Sequence, residues 1–475
     1  MTGTQKIPSH MIIARNWEIY ENPILDSGSE ITQDTRIFAA PNPRPSQRGQ
    51  LLAHFINSFC PDCFQVPDEA ARPHHYWVQR LPGLQGTSAL LDTAMSTLAA
   101  AYLGQTRGDR QLQMQSLLLY EEAVKTLSRS MTAPAFIADD YTLASIMCLG
   151  MSEMYSQHLD HEHGWFSHNK GGCELIKSRG LSILETELGR DLFIRFRVTG
   201  IWRDLTLGAS KALNKANQAV DAVHSSAETK WSFALADPGM ARLSQTASQS
   251  YYDLLIEKII PIPSVLQDIW TLSIQPICQP EKITRAKALI KRSVAIAESL
   301  FSWYATTDCL QFCKKDTSAV MSPSNASTNT LPAPVTFPNL LVAQALTHYW
   351  AAMIVVLRCI TICHEKLSCF SSEAPIPTKA WLFVHLTVDM DPQTIARQFA
   401  DAIISSVEYC IAADKGTAGS IILLHPLSIA KDLYANEADV LAKQKQAFCI
   451  GVLKTLMARG LRFSHALIQL SSQGH

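Results

Sequence analysis

Residues 87–104 read TSALLDTAMSTLAAAYLG. Within them Leu91, Ala94, Met95, Leu98, Ala99 and Tyr102 recur every three or four positions, the period of a helix with one apolar face, whereas a half-buried strand would alternate every two. Thr87 or Ser88 can cap the start, because a short hydroxyl side chain accepts a hydrogen bond from a first-turn N–H, and Gly104 is placed just beyond the end. The flanking sequence repeats the pattern. Asp109 can cap a helix whose stripe is Leu112, Leu119, Ala123 and Leu127, and Asp139 or Asp140 can cap another that carries Leu143, Ile146, Met147, Gly150 and Met154. Upstream, Leu51, Leu52, Phe55, Ile56 and Phe59 form one face before Pro61 stops it. Downstream, the segment from Gly164 makes a helix that ends at Gly180 as a left-handed residue. Short links make these elements antiparallel neighbours.

Further helical patterns occupy approximately 190–213, 246–260, 281–304, 339–367, 391–413, 421–435 and 438–470. Asp391-Pro392 is a clear start, with a capping carboxylate followed by a proline at the first helical position. The best alternating segment is Trp381 to Val388, and little else suggests strands. The reading is therefore all-α: a multi-helix stack of antiparallel helical hairpins with no substantial sheet. Residues 1–49, with Asn22-Pro23, Asp26-Ser27-Gly28-Ser29 and Pro41-Asn42-Pro43-Arg44-Pro45, are expected to form a poorly ordered arm before one helical domain over 50–475. A polar stretch with four prolines predicts a mobile insert at about 306–338.

Composition narrows the function classes. With 47% hydrophobic and 17% charged residues, a chain of 475 can bury a large core. Its formal net charge is −1, from 41 Lys and Arg against 42 Asp and Glu, so no global field draws it to phosphates. The densest basic stretch, Lys282, Arg285, Lys287, Lys291 and Arg292, alternates with Ile283, Ala286, Leu289 and Ile290 and reads as the solvated face of an amphipathic helix. Met1 to Pro23 lacks the apolar core of a secretory signal. Leu340 to Cys363 is the most apolar segment, but Gln344, His348 and Arg358 interrupt it, so a buried core helix is expected instead of a membrane span.

Clusters of reactive side chains have bland readings. Cys60-Pro61-Asp62-Cys63 has the spacing of half a zinc site, yet the next cysteine is Cys148. The run His158, Asp160, His161, Glu162 and His163 reads as a polar connector, and Cys359, Cys363, His364 and Cys369 read as core thiols and their neighbour near a helix end. Asp139-Asp140-Tyr141-Thr142-Leu143 lacks the third acid of a Mg²⁺-binding helix end, and no nucleophile elbow, phosphate loop or H-E-x-x-H motif is present. No catalytic, metal-binding or DNA-binding residue is assigned, and no cofactor is expected.

One segment carries more specific information. In Gly164-Trp165-Phe166-Ser167-His168-Asn169-Lys170-Gly171-Gly172-Cys173-Glu174-Leu175-Ile176-Lys177-Ser178-Arg179-Gly180 the spacing is W-x-x-H-x-x-G-G-x-x-L-I-x-x-R-G. This resembles the regulatory helical domain of fungal-specific transcription factors, the domain that follows a six-cysteine binuclear zinc cluster. Arg48 to Phe64 is similar to the family's first helix, Tyr120, Ala123 and Leu127 to a later stretch, Asp140, Leu143 and Glu153 to the next, and Tyr349-Trp350 to its long middle helix. His425-Pro426-Leu427-Ser428-Ile429-Ala430 resembles the family's aromatic-Pro-Leu-x-x-Ala turn, with His in place of the aromatic. The signature residues Trp165, His168, Gly171, Gly172, Leu175, Arg179, Gly180, Pro426 and Leu427 are read as structural.

The resemblance implies a regulator of transcription in the nucleus, with a pathway-specific role in nutrient use or secondary metabolism. Residues 1–49 contain no cysteine, so the family's DNA-binding cluster is not carried over to this chain: either the regulator is recruited by another DNA-binding subunit or an upstream exon carries the cluster. The implied partner is a DNA-binding transcription factor, in a homo- or heterodimer, without direct nucleic-acid contact and without a membrane. The alternative is an accessory protein or enzyme that uses an apolar pocket in the helical stack, lined by His348, Trp350 and Arg358. Trp165→Ala is expected to cost about 3 to 5 kcal/mol through a core cavity; equilibrium unfolding checks this, and a change below about 1 kcal/mol would show that the ring is not buried.

Overall fold

Four helix starts marked in the sequence by a short polar residue are capped by it. The Ser88 side chain accepts from Leu91 N–H, that of Asp109 from Gln111 and Leu112, that of Asp139 from Tyr141 and Thr142, and that of Asp391 from Gln393 and Thr394. The computed structural model describes residues 45–61, 74–131, 139–156, 161–213, 250–275, 278–307, 331–370 and 391–469. It is all-α, with no strand among the described residues. Trp381 to Val388 lies outside them, as do residues 1–44 of the arm and 308–330 of the insert. The chain divides into two compact units, residues 1–57 with 77–196 and residues 58–76 with 197–475.

The first five helices are α1 (Pro45–Phe59), α2 (Ala89–Arg107), α3 (Arg110–Ser130), α4 (Asp140–Glu153) and α5 (His161–Arg179), with 3₁₀ stretches at His74–Leu84 and Gly180–Leu184. α1 begins at Pro45, earlier than the expected arm boundary, because proline at a first helical position loses no hydrogen bond. In the first unit α2 packs against both α3 and α4, and α4 packs against α5. Tyr102 on α2 makes edge contacts with the rings of Phe55 and Tyr155, at centroid distances of 5.2 and 5.1 Å. α6 (Glu187–Leu213) follows, and the division between the units falls within it, after Phe196.

The second unit continues with α7 (Tyr251–Ile259), α8 (Ile262–Ile274), α9 (Gln279–Thr306), α10 (Leu340–Phe370), α11 (Pro392–Ser405), the short α12 (Val407–Cys410), α13 (Gly416–Ala435), α14 (Val440–Ala458) and α15 (Ser464–Gln469). α10 is the hub, packed on by α7, α8, α9, α11 and α13. Over Leu340–Cys369 it is long and apolar enough to cross a bilayer by composition, but its most apolar window is wholly buried inside the protein. Its interruptions Gln344 and His348 are buried as well, and a core helix is the result.

Several boundaries differ from the sequence reading. α8 falls between the helical patterns read at 246–260 and 281–304, and its prolines, Pro261 and Pro263, sit at the helix start, where proline is tolerated. The single pattern at 438–470 is broken between α14 and α15 at Gly460, which has φ +104°. Of the expected insert, Thr306 closes α9, while Val335 and Phe337 are buried and Val335 N–H donates to Ser405 O at 2.9 Å.

Gly104 does not follow α2 but lies inside it. The left-handed residue that ends the helix is Gly108, with φ +67°, whose N–H donates to Gly104 O. Gly104 is instead where α2 meets the start of α3: a Cβ there would sit 2.8 Å from Gln113 N and 3.1 Å from Leu112 C, both main-chain atoms. Alanine in an exposed helix interior would gain about 1 kcal/mol over glycine. Here backbone has to move, so Gly104→Ala should destabilise by roughly 1 to 3 kcal/mol, read as a lower urea midpoint at unchanged m-value.

Candidate functional site

The signature segment forms most of α5, with Trp165, His168, Gly171, Gly172 and Leu175 turned into the interior of the first unit and Lys177 and Ser178 exposed. Trp165 and His168 are buried. They pack onto α4 at Gly150, where a Cβ would come within 3.2 Å of His168 Cβ and 3.3 Å of the indole. Two more glycines mark close approaches. A Cβ on Gly164 would meet the Glu153 carboxylate at 2.6 to 2.8 Å, and one on Gly172 would lie 2.1 Å from the Phe196 ring. Gly171 and Leu175 are buried beside them. Gly180 has φ +63°, the left-handed conformation expected at the helix end.

Two polar assemblies hold this packing. Arg179 forms a salt bridge with Asp140, and the same carboxylate accepts from the Thr186 hydroxyl. Asp139 is therefore the cap of α4, and Asp140, also weighed as a cap, ties α4 to the end of α5. Deeper in, Tyr120 Oη lies 2.8 Å from His168 Nε2, and Tyr120 also hydrogen-bonds Glu153. Burial pushes the Glu153 carboxyl up to about 7, against the lowering effect of Tyr120, and pushes the His168 imidazole down to about 4. Both shifts favour the uncharged form.

A second buried assembly occupies the second unit, around Pro426 and Leu427. The family resemblance implies a turn here, whereas the apolar pattern runs a helix through 421–435; both residues lie inside α13. Proline there removes the N–H that would serve the carbonyl four residues earlier, Ile422 O. His348 of α10 supplies the missing donor, with Nε2 3.2 Å from Ile422 O. A carbonyl only accepts, so Nε2 carries the proton, and Nδ1 of the neutral ring accepts from the Tyr252 hydroxyl of α7. Trp202 of α6 lies against the His348 ring at a centroid distance of 4.3 Å and stacks on His425 at 6.4 Å. His425 Nδ1 lies 2.9 Å from Thr206 Oγ1. Tyr252, Trp202 and Thr206 went unread in the sequence, since nothing local marks a partner that lies more than 90 residues away.

The pocket predicted from His348, Trp350 and Arg358 is not formed by those three. His348 and Trp350 are packed in the core. Arg358 alone reaches a cleft, shared with Leu213, Thr361, Glu365, Gln393 and Asn436, of about 100 Å³. That is small beside the roughly 300 to 1,000 Å³ of typical ligand pockets. The Arg358 guanidinium donates to Leu213 O at 2.8 Å, the last described carbonyl of α6. Burial lowers its pKa, while Asp432 and Glu437 pull it upward.

The remaining candidates are placed plainly. Cys60, Cys359 and Cys363 are buried and Cys369 is exposed. Burial raises the Cys359 thiol and brings that of Cys363 to about 12, which keeps both protonated and poor as metal ligands. Cys63, His158 and Asp160 lie outside the described residues, as do the side chains of His161, Glu162 and His163. No group of three metal-ligating side chains occurs among the described residues. On α9, Arg285 pairs with Glu281 at 2.6 Å and Arg292 with Asp268 at 2.5 Å, so part of the basic face is neutralised at the surface.

Residues 50–200 match the family described as the fungal specific transcription factor domain. The matched stretch contains Tyr120, Glu153 and the whole of 164–180, and it stops short of Pro426 and Leu427. No curated protein matches the chain, and no solved structure does.

His348→Ala would strip partners from Ile422 O and the Tyr252 hydroxyl and open a gap beside Trp202, a loss of about 3 kcal/mol or more. Pro426→Ala returns an N–H to Ile422 O. In a double-mutant cycle the double variant should therefore lose less than the sum of the two singles, by about 1 kcal/mol; strict additivity would show that His348 does not serve that carbonyl.

Proposed function

We propose that this protein is a regulator of transcription that acts through its helical body in the nucleus, recruited to promoters by a DNA-binding transcription factor. The observation that carries this reading is the family match over residues 50–200, within which Trp165, His168, Gly171, Gly172 and Leu175 are packed in the interior. Trp165, Gly172 and Leu175 set helix against helix, and Arg179 fixes the end of α5. That is the work of a scaffold that presents surfaces to partners. The near-zero net charge and the ion pairs on the α9 basic face support contact through protein surfaces more than through phosphates. A homo- or heterodimer is the assembly proposed, and the gene set is that of one pathway of nutrient use or secondary metabolism.

Chromatin immunoprecipitation of the tagged protein in its native host, after protein–protein cross-linking, tests this reading. Discrete enrichment at a set of promoters is expected, and it should disappear when cross-linking between proteins is omitted if recruitment is indirect. A flat profile under inducing conditions would overturn the assignment.

A further inference from the structure

Glu153, at the C-terminal end of α4, is 2% exposed and is hydrogen-bonded to Tyr120 of α3, which bonds in turn to His168 of α5. Three helices thus meet through three titratable groups. Glu153 Oε2 has no hydrogen-bond partner among the described residues, and the Gly164 backbone of α5 lies directly against the carboxylate. Tyr120 from α3 and, through it, His168 from α5 are the titratable groups brought to Glu153 among the described residues. The other titratable groups of the start of α5, His161, Glu162 and His163, have side chains outside them. An ionised carboxylate in this place would keep one bare oxygen out of water, which is costly.

We propose that Glu153, Tyr120 and His168 form a proton-sensitive latch in which loss of the Glu153 proton reverses the hydrogen bonds through Tyr120 into His168 and weakens the seat of α5 on α4. In the protonated form Glu153 donates to Tyr120 Oη, Tyr120 donates to His168 Nε2, and the ring proton sits on Nδ1. When Glu153 gives its proton to solvent, the carboxylate accepts from Tyr120, whose oxygen then accepts from Nε2–H. The imidazole stays neutral throughout: its proton passes from Nδ1 to Nε2 by exchange with water, and one proton in all leaves the protein. The latch goes beyond the gene-regulatory reading, and its test does not depend on that reading.

The sign follows from proton linkage. Glu153 has a folded value of about 7 above its ordinary 4.5, so its contribution to stability is complete below about pH 4.5 and is lost as pH rises to about 7. His168, depressed from 6.5 to about 4, works the other way: its contribution is present above about 6.5 and is lost as pH falls toward 4. The two slopes oppose between about 4.5 and 6.5, so the informative quantity is the difference between wild type and Glu153→Gln.

Urea unfolding of the full chain, followed by circular dichroism from pH 4.5 to 8.5, measures that difference. Relative to wild type, the folding constant of Glu153→Gln should rise by about two orders of magnitude across the range and level off above pH 7. An offset that does not change with pH overturns the latch. A nitrogen-15 histidine spectrum of the wild-type protein provides a second readout that does not require the variant to fold. The ring nitrogens of His168 should exchange pyrrole-like and pyridine-like shifts with a midpoint near pH 7, and one fixed tautomer from pH 6 to 8 would equally overturn it.

Discussion

A proline has no N–H, and at position 426 that lack falls in the middle of a buried helix, so one carbonyl of α13 must find its donor elsewhere. His348 provides it, and the arrangement of the second unit follows from that bond. With Nε2 committed to Ile422, the ring presents Nδ1 to Tyr252 and its face to Trp202, which links α10 to α7 and α6 as well as α13. A polar side chain on the most apolar helix of the protein would be a defect in isolation. Next to a proline four residues beyond an unserved carbonyl it is the complement of a second defect, and neither is costly while both are present.

The first unit meets the same problem with different residues. Glu153, Tyr120 and His168 are buried together without a charged partner among the described residues, and desolvation drives both the acid and the base toward neutrality. In both units a histidine bonds a tyrosine hydroxyl inside a helical stack. Each is held uncharged or singly committed, and each joins helices that aliphatic packing alone would leave free to slide. The ion pair of Arg179 with Asp140 performs that task nearer the surface, where charge is tolerated because the carboxylate has two donors and solvent close by.

Local signals decided how much could be read in advance. Helix caps are written within four residues, so Ser88, Asp109, Asp139 and Asp391 could be named, and the burial of α10 followed from its apolar run. Gly104 misled because glycine has two uses: it can end a helix by its backbone freedom or sit inside one where another backbone comes close, and only the position of Gln113 distinguishes them. At Pro426 the helical pattern over 421–435 agrees with the structure, but the donor that substitutes for the missing N–H sits on another helix, at His348, where no local spacing points to it. The 164–180 segment could be recognised as a unit, but the partners that give it meaning, Glu153, Phe196 and Asp140, come from separate elements, and no spacing within the segment points to them.

The central helix has a consequence for biosynthesis. α10 is apolar nearly all round, and its cover comes from both sides of it in sequence: α7, α8 and α9 are made before it, α11 and α13 after it. A ribosome that has just released Phe370 therefore carries a nascent chain with a membrane-like surface only half shielded. That surface stays open until synthesis passes Ala435, during which chaperones and the translocation machinery compete for it. A chain cut short between those two points leaves that apolar face uncovered, and such a fragment is expected to aggregate instead of forming a smaller working protein.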